Sequence, residues 1–237
     1  MGLENPSPAV VAAKPLSLSE ALRERTVSVH LAAERSGIIS DILKRKADRN
    51  SYALLLRNIL PAYEALETAL ARRSADAVLS VFALPALFRS QALRNDLAAI
   101  AGADWERSLP LLDAGARYAA RVSLGAQGNG MRLVPHAYVR YFGDLSGGQV
   151  LKKLLGQSMD LPQDALTLYD FPGIVDHRAF KQELREAIDR AADSVADPED
   201  LIAEALIAFE HNIEVSHAVQ SQLADTATIT KAAAGKD

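Results

Sequence analysis

Near the start of the chain, a cation, an apolar residue, an imidazole and a carboxylate stand at helical spacing: Arg23, Val27, His30 and Glu34. Intervals of four, three and four residues put them on one face of a helix. A neutral imidazole binds iron through one ring nitrogen when an acceptor orients its other N–H, and Glu34 stands one turn away from His30. The alternative is a surface histidine beside a helical charge partner, which is the commoner role of a lone histidine.

Three glycines interrupt a stretch that otherwise has the pattern of a helix, YVRYFGDLSGGQVLKK at 138–153. Each interior glycine costs about 1 kcal/mol relative to alanine, so the run needs a reason. Gly143 and Gly147 share a face with Arg140 and leave a strip of bare backbone that can approach a flat ligand. Asp144 adjoins this strip and can hold ordered water beside it. A loop or a close helix–helix crossing explains the glycine spacing equally well.

A second basic pair lies in the segment FKQELR, where Lys181 and Arg185 are four residues apart. On a helix the two cations share a face and can clamp two carboxylates. Ordinary solvation of a charged helix is the alternative.

Histidine and carboxylate are the candidate metal ligands, because the chain contains no cysteine. His211 and His217 are six residues apart and cannot face the same way on one helix, whereas His136 and His177 stand near helix starts. His30 is therefore the best placed of the histidines.

Helices are the elements that must position these residues, because apolar residues recur at three- and four-residue intervals and no segment sustains strand alternation. Ser17 and Glu20 have capping-box spacing before a helix predicted to run to about residue 35, and Asp197-Pro198 is typical of another helix start. Pro61 is expected to kink its helix. The other predicted helical segments are 50–73, 85–102, 111–125, 136–156 and 176–193.

The pattern predicts one all-α domain of roughly eight helices over residues 17–224. Residues 1–16 and 225–237 lack periodicity, so we expect them to be mobile tails. A chain of 237 residues that is 49% apolar and 24% charged fits a single core.

The charge and the hydropathy pattern limit the partners. A net charge of -4 gives no overall attraction to nucleic acid or to an anionic membrane. The sequence has neither a basic start followed by an apolar core nor a run of about 18 uncharged apolar residues. We therefore expect a soluble, cytoplasmic protein with no nucleic-acid or membrane partner.

Taken together, these segments resemble the heme oxygenase family. YVRYFGDLSGGQ at 138–149 is similar to the family's most specific signature, and LSEALRERTVSVHLAAE, YEALE, FKQELR and AFEHN extend the similarity over roughly residues 16–224. The resemblance implies heme held between a proximal and a kinked distal helix. It also implies oxidative cleavage of heme to biliverdin, carbon monoxide and ferrous iron, with O2 and with electrons from an external reductase.

The resemblance assigns roles on the two faces of the heme. His30 would be the axial iron ligand and Glu34 the partner of its other ring nitrogen. Gly143 and Gly147 would be the distal backbone that covers the porphyrin closely.

The resemblance also assigns three groups of side chains around the heme. The basic positions that would face the heme propionates are Arg23, Lys181 and Arg185. The residues that would hold the distal water network are Asp144, Arg140, Tyr63 and Asn212. The aromatic residues that would line the pocket are Tyr138 and Phe209.

Two departures from the family pattern are modest: Phe142 stands where leucine is more usual, and Arg23 where lysine is common. The polar C-terminus lacks the hydrophobic anchor of membrane-bound members, which implies a soluble, bacterial form. We expect cleavage at the α meso position. Lys152 and Lys153 follow the glycine segment and are a candidate docking surface for an acidic ferredoxin or flavoprotein, with an ordinary solvated helix face as the alternative. The product bilin can pass to an accepting protein. The alternatives are a non-catalytic heme-binding or transfer protein and a thiaminase-like relative of the same fold.

Overall fold

The computed structural model describes the backbone of residues 16–234 and the side chains of 16–226 and 228. No strand occurs in this part of the chain, which confirms the all-α prediction. Its α-helices are α1 (Leu18–Arg25), α2 (Val27–Glu34), α3 (Gly37–Leu43), α4 (Arg49–Ala71), α5 (Ser90–Ala101), α6 (Trp105–Ser108), α7 (Asp113–Gly125), α8 (Leu133–Ala137), α9 (Gly143–Ser146), α10 (Gly148–Ser158), α11 (His177–Ala192) and α12 (Glu199–Ala234). There are more helices than the predicted eight, because α3 and α6 are short and two predicted helices are interrupted.

The first interruption divides the helix predicted to run from Ser17 to about residue 35. The capping box forms as expected, with the Ser17 hydroxyl accepting from the Glu20 N–H and the Glu20 carboxylate accepting from the Ser17 N–H. At Thr26, however, the hydroxyl donates to the Leu22 carbonyl at 2.7 Å. A threonine that bonds back in this way competes with the helical ladder, and α1 ends there.

The second interruption lies in the glycine-rich segment. Between α8 and α9 the backbone widens into a π-helical turn, Tyr138–Phe142, and Gly147 separates α9 from α10. π-Turns inside helices are frequent at functional sites, because the extra residue changes the direction of the helix. The glycine-rich helix is therefore interrupted twice, which agrees with the kinked helix that the resemblance implied.

The core forms around α4. This helix packs against α5, α7 and α12, and its side chains Leu56, Leu60, Leu66 and Leu70 are buried. The helix continues on both sides of Pro61. α12 crosses the domain and touches α2, α3, α7 and α8 as well. The proximal and glycine-rich segments are thereby attached to one frame.

The last helix of the domain extends beyond the C-terminal boundary expected at residue 224. α12 begins where Asp197 accepts a hydrogen bond from the Glu199 N–H at 2.9 Å, and it continues to Ala234 through most of the tail predicted at 225–237. The other predicted tail, 1–16, lies outside the described residues except for Leu16. Among the described helices, none has both the length and the apolar character needed to span a bilayer.

Candidate functional site

One wall of the candidate site is α2, a helix with much of its surface exposed. None of its side chains, all of them described, is buried. Val27 is 53% exposed and Leu31 42% exposed, and the His30 side chain keeps 53% of its surface free. A helix that leaves apolar residues uncovered in this way is typical of a ligand-binding or interaction surface.

A second wall of the candidate site is the bare backbone at Gly143 of α9 and at Gly147, between α9 and α10, and we call it the glycine wall. A Cβ added at Gly143 would meet no described atom within 4 Å, and one at Gly147 would meet only the Gly143 carbonyl oxygen at 3.5 Å. A Cβ at Gly148, in contrast, would lie 2.8 Å from the Tyr169 ring. Gly148 therefore serves close packing. Gly143 and Gly147 face open space, which favours the bare strip over a close helix–helix crossing.

α2 and the π-turn that precedes α9 meet at Phe209 on α12. Val29 and Ala33 of α2 pack against a small apolar cluster that also includes Val139 and Phe209. The rings of His30 and Phe209 lie edge to face with centroids 5.8 Å apart. Phe209 thus forms a floor that joins α2 to the π-turn.

The second pocket aromatic, Tyr138, belongs to the π-turn itself. It packs against the same apolar cluster, and its ring lies 5.2 Å from that of Phe142. Both predicted pocket aromatics therefore lie where α2, the π-turn and α12 come together.

A polar network lies beneath the glycine wall. The Tyr63 hydroxyl donates to Asp144 Oδ2 at 2.7 Å, and the Arg140 guanidinium lies 5.4 Å from the Tyr63 ring centroid. Burial raises the pKa of Asp144 to about 6, while the hydrogen bond from Tyr63 and the cations Arg140 and Arg89 act to lower it. The carboxyl group can therefore hold or release a proton near neutral pH.

Three buried polar atoms of this region have no hydrogen-bond partner among the described residues: Tyr118 Oη, Arg140 Nε and Tyr141 Oη. Buried polar groups in folded proteins are nearly always satisfied, by water when no protein group is available. The arrangement therefore leaves places for ordered water in this region, and water held by Asp144 stays a prediction.

Two of the three predicted basic residues lie at the edge of the glycine wall. Lys181 Nζ lies 3.2 Å from Ser146 Oγ, and the Arg185 guanidinium is 5.7 Å from the Phe142 ring centroid. Arg23 is exposed on α1, which packs against α11. Within the described part of the chain, none of these three cations forms a salt bridge, so their charges are free to meet an anionic ligand.

Among the described side chains, Glu34 does not make the predicted contact with His30, and Asn212 bonds within its own helix. His30 Nδ1 is 3.8 Å from Glu34 Oε1, which is too long for a hydrogen bond. The Asn212 amide donates to the Ala208 carbonyl at 2.7 Å and makes no direct bond to Asp144. Glu34 thus lies one helical turn from His30 without a hydrogen bond to it, and the role of Asn212 in a water network stays a prediction.

The predicted docking pair requires a correction. Lys152 Nζ lies 2.6 Å from an Asp170 carboxylate oxygen, and its side chain is only 14% exposed. It is held by this internal ion pair and is not a free surface cation. Lys153 is exposed, as expected.

The sequence reasoning missed Tyr118 on α7. It is fully buried, and its ring centroid lies 5.5 Å from the Arg140 guanidinium. Its only signal in the sequence is a tyrosine on the apolar side of a predicted helix, and only the packing of α7 against α4 and α12 brings it to the site.

The chain is similar to known proteins along most of its length. The heme oxygenase family model matches residues 16–218. The heme oxygenase 1 of the cyanobacterium Synechocystis is 35% identical over 208 residues, which cover 88% of this chain and 87% of the relative. The human heme oxygenase 1 is 35% identical over 224 residues, which cover 93% of this chain and 77% of the relative.

A solved structure agrees with these matches. Heme oxygenase-1 from Synechocystis, in complex with heme, superposes with a TM-score of 0.79 and 31% identity, covering 92% of this chain and 99% of that one. The matches favour heme cleavage over a heme-transfer protein and over a thiaminase-like relative. The chain belongs to the heme oxygenase family and is an enzyme that cleaves heme, with iron and biliverdin among the products.

Proposed function

We propose that heme binds between α2 and the glycine wall, with His30 as its iron ligand, and that this chain uses O2 and electrons from a separate reductase. Two observations carry the proposal: the His30 imidazole is exposed, and the backbone at Gly143 and Gly147 is open. α2 and the π-turn that leads into the glycine segment meet at Phe209. Bound heme supplies the iron that activates O2 and the ring that is opened.

The chemistry of the site fits a flat iron macrocycle with two carboxylates. Apolar side chains such as Val27 and Leu31 would cover the ring, and the neutral imidazole is the ligand type that heme iron accepts. The backbone at Gly143 and Gly147 carries no side chain to keep a flat ligand away.

The basic residues would orient the substrate. Lys181 and Arg185 at the edge of the glycine wall, together with Arg23 on α1, are suited to hold the two carboxylates in charge-assisted hydrogen bonds. By fixing how the ring is rotated in the groove, they would set which meso carbon lies next to the distal pocket. We expect that carbon to be the α position.

Asp144 would manage the proton supply. In its acid form the carboxyl group can give a proton to ordered water in the groove, and Tyr63 holds Oδ2 in place by donating to it. Arg140 lies against the Tyr63 ring and keeps a positive charge close to the carboxylate that remains. These residues would hold water where a proton is needed without coordinating the iron.

Titration of the protein with heme, followed by visible spectroscopy, tests the ligand assignment. His30→Ala should abolish the normal axial ligation and the turnover, and added imidazole should restore part of both. The matched control is His217→Ala, which removes an exposed histidine of α12. A His30→Ala variant that keeps the wild-type spectrum and rate without imidazole would show that another residue binds the iron.

A further inference from the structure

A short segment between α10 and α11, residues 167–170, is fixed at both ends, and we call it the strap. At its start, the fully buried Asp96 of α5 accepts hydrogen bonds from the Thr167 N–H at 2.8 Å, the Thr167 hydroxyl at 2.6 Å and the Leu168 N–H at 2.9 Å. At its end, the guanidinium group of Arg89, which directly precedes α5, donates to the Asp170 carbonyl. The strap is therefore attached to α5 along its whole length.

The tyrosine of the strap adds an attachment to the central helix of the core. Tyr169 is buried, and its hydroxyl lies 3.3 Å from the hydroxyl of Tyr52, a buried residue of α4. With bonds to both α4 and α5, the strap is a firm base for any element that it contacts.

The strap holds the first part of α10 by two side-chain contacts. Lys152 Nζ lies 2.6 Å and 2.7 Å from the two carboxylate oxygens of Asp170. Gln149 Nε2 donates to the Tyr169 carbonyl at 2.8 Å. Gln149 and Lys152 are three residues apart and lie on one face of the helix. Both contacts therefore tie the same face of α10 to the strap.

The ion pair between Lys152 and Asp170 is partly withdrawn from water. The Lys152 side chain is 14% exposed and that of Asp170 45% exposed. Among the described residues, no other carboxylate forms an ion pair with Lys152. A cation that is largely buried depends on its partner, because an unpaired buried charge is costly. The pair therefore holds α10 more firmly than a fully exposed pair would.

These contacts lie next to the glycine wall. Gly147 directly precedes α10, and its carbonyl accepts from the Leu151 N–H at 3.0 Å, in the same turn as the two contacts. Of the residues of α10, all of them described, only Gly148 and Leu155 are buried, and Val150 is 69% exposed. Since the core covers so little of this helix, the position of Gly147 depends on the strap.

We propose that Asp170 is a positioning residue for heme cleavage: through Lys152 it holds the start of α10, and with it Gly147, at the distance from the ring that the reaction needs. This inference rests on the proposed function, because the position of the glycine wall matters only if heme lies against it. A displacement of about 1 Å in a site can slow a reaction about a hundredfold. Among the described residues, the hydrogen bonds of the strap reach neither α2 nor the three basic residues, so heme binding does not depend on them.

The first test measures amide hydrogen exchange in the heme-free protein. Asp170→Asn should speed the exchange of residues 147–152 about fivefold, because loss of the ion pair favours local opening of α10. Asp160→Asn is the matched control at the other end of α10, where the exposed Asp160 pairs with Arg49 and has a positive φ that asparagine also adopts. It should leave exchange at residues 147–152 unchanged. Wild-type exchange in Asp170→Asn would overturn the proposal.

The second test measures ascorbate-driven heme cleavage per bound heme. Asp170→Asn should lower kcat about tenfold and leave the KM for heme and the heme affinity unchanged, whereas a merely structural loss would reduce the amount of folded protein. Lys152→Gln should have the same effect, and the double variant should be no slower than either single one, because the two side chains act as one unit. Asp170→Glu keeps the charge and should recover part of the rate. Wild-type kcat in Asp170→Asn, or losses that add in the double variant, would overturn the role of Asp170.

Heme added to the wild-type protein separates this inference from the proposed function. Bound heme should slow amide exchange at Gly143 and Gly147 if it lies against the glycine wall. If heme gives no such protection, the proposed function fails, and the inference that rests on it fails too. If heme protects these amides and Asp170→Asn still has wild-type kcat, the role of Asp170 alone fails.

Discussion

At the scale of single residues, burial and hydrogen bonding act in opposite directions on the carboxyl group of Asp144. Burial is the larger effect, and it raises the pKa from 3.8 to about 6. The folded protein therefore favours the acid form. The free-energy cost of ionising the group builds up as the pH rises from 3.8 to about 6 and stays constant above that.

Asp144→Asn should remove this cost and keep an acceptor for the Tyr63 hydroxyl. A shift of about two pKa units corresponds to at most about 3 kcal/mol, so we expect the variant to gain up to that much stability at pH 7. The gain should vanish below the unfolded pKa of 3.8. Urea unfolding of the heme-free protein across this pH range is the measurement. Equal stability at pH 7 would show that the carboxyl group is not destabilised by burial.

The same pKa predicts the pH dependence of turnover. The acid form of Asp144 is lost as the pH rises through about 6, so the rate of heme cleavage should fall in that range. Asp144→Asn should show a low rate without this inflection. A wild-type rate that rises through the same range would contradict the assignment of Asp144 as the acid.

At the scale of elements, the glycines of the glycine wall lower the stability of their helix and leave its backbone open to a ligand. Gly143→Ala should stabilise the heme-free protein by about 1 kcal/mol, because its Cβ meets no described atom within 4 Å. The same methyl group should weaken heme binding. Gly156→Ala on α10 is the matched control, since the contacts of its Cβ begin at 3.5 Å and involve the Gln163 side chain. It should gain stability without losing heme affinity. Unchanged heme affinity in Gly143→Ala would show that this backbone does not cover the ligand.

A second element-scale feature is the ion pair that ties α7 and α8 to α12. Glu204 is buried, and although burial acts to raise its pKa, its bonds to His136 and Arg121 hold the value at about 2 instead of 4.5. This stabilisation is complete above pH 4.5 and is lost as the pH falls through about 2.

Glu204→Gln should therefore cost about 3 kcal/mol at pH 7, and the difference from wild type should shrink in acid. Glu106→Gln removes an exposed partner of Arg94 and should cost less than about 1 kcal/mol. Urea unfolding at several pH values compares the two variants. A Glu204→Gln loss as small as that of Glu106→Gln would contradict the pKa direction.

At the scale of the whole molecule, local sequence patterns predicted the residues of the site better than they predicted how the helices pack around it. Helical periodicity predicted the fold class. The spacing of Gly143 and Gly147 fitted an open face and a close helix crossing equally well, and the neighbouring Asp144 favoured the open face. The helix break at Thr26 depends on the hydrogen bond from its hydroxyl to the Leu22 carbonyl. Hydrophobic periodicity carries no information about such a bond. Lys152 is paired with Asp170 from a distant segment, and Tyr118 reaches the site only through the packing of α7. Such long-range contacts leave no spacing signal in the chain.

A second prediction at the scale of the whole molecule concerns the surface on which the reductase docks. Since Lys152 is bound to Asp170, we expect Lys153 to carry the attraction to an acidic electron donor. Lys153→Glu should slow turnover with the protein reductant, most strongly at low salt, and leave ascorbate-driven turnover unchanged. Arg72→Glu reverses an exposed charge at the end of α4 and serves as the control. Equal losses with both reductants would indicate damage to the pocket instead.

The most direct test of the account is the biliverdin yield of Asp144→Ala, measured beside its heme affinity and visible spectrum. The account predicts that the variant binds heme with the same His30 ligation as the wild type and forms little or no biliverdin, because the proton-holding carboxyl group and its ordered water are lost. Asp144→Asn should be impaired less, since an amide still bonds water and the Tyr63 hydroxyl. A wild-type biliverdin yield from Asp144→Ala would contradict the central claim.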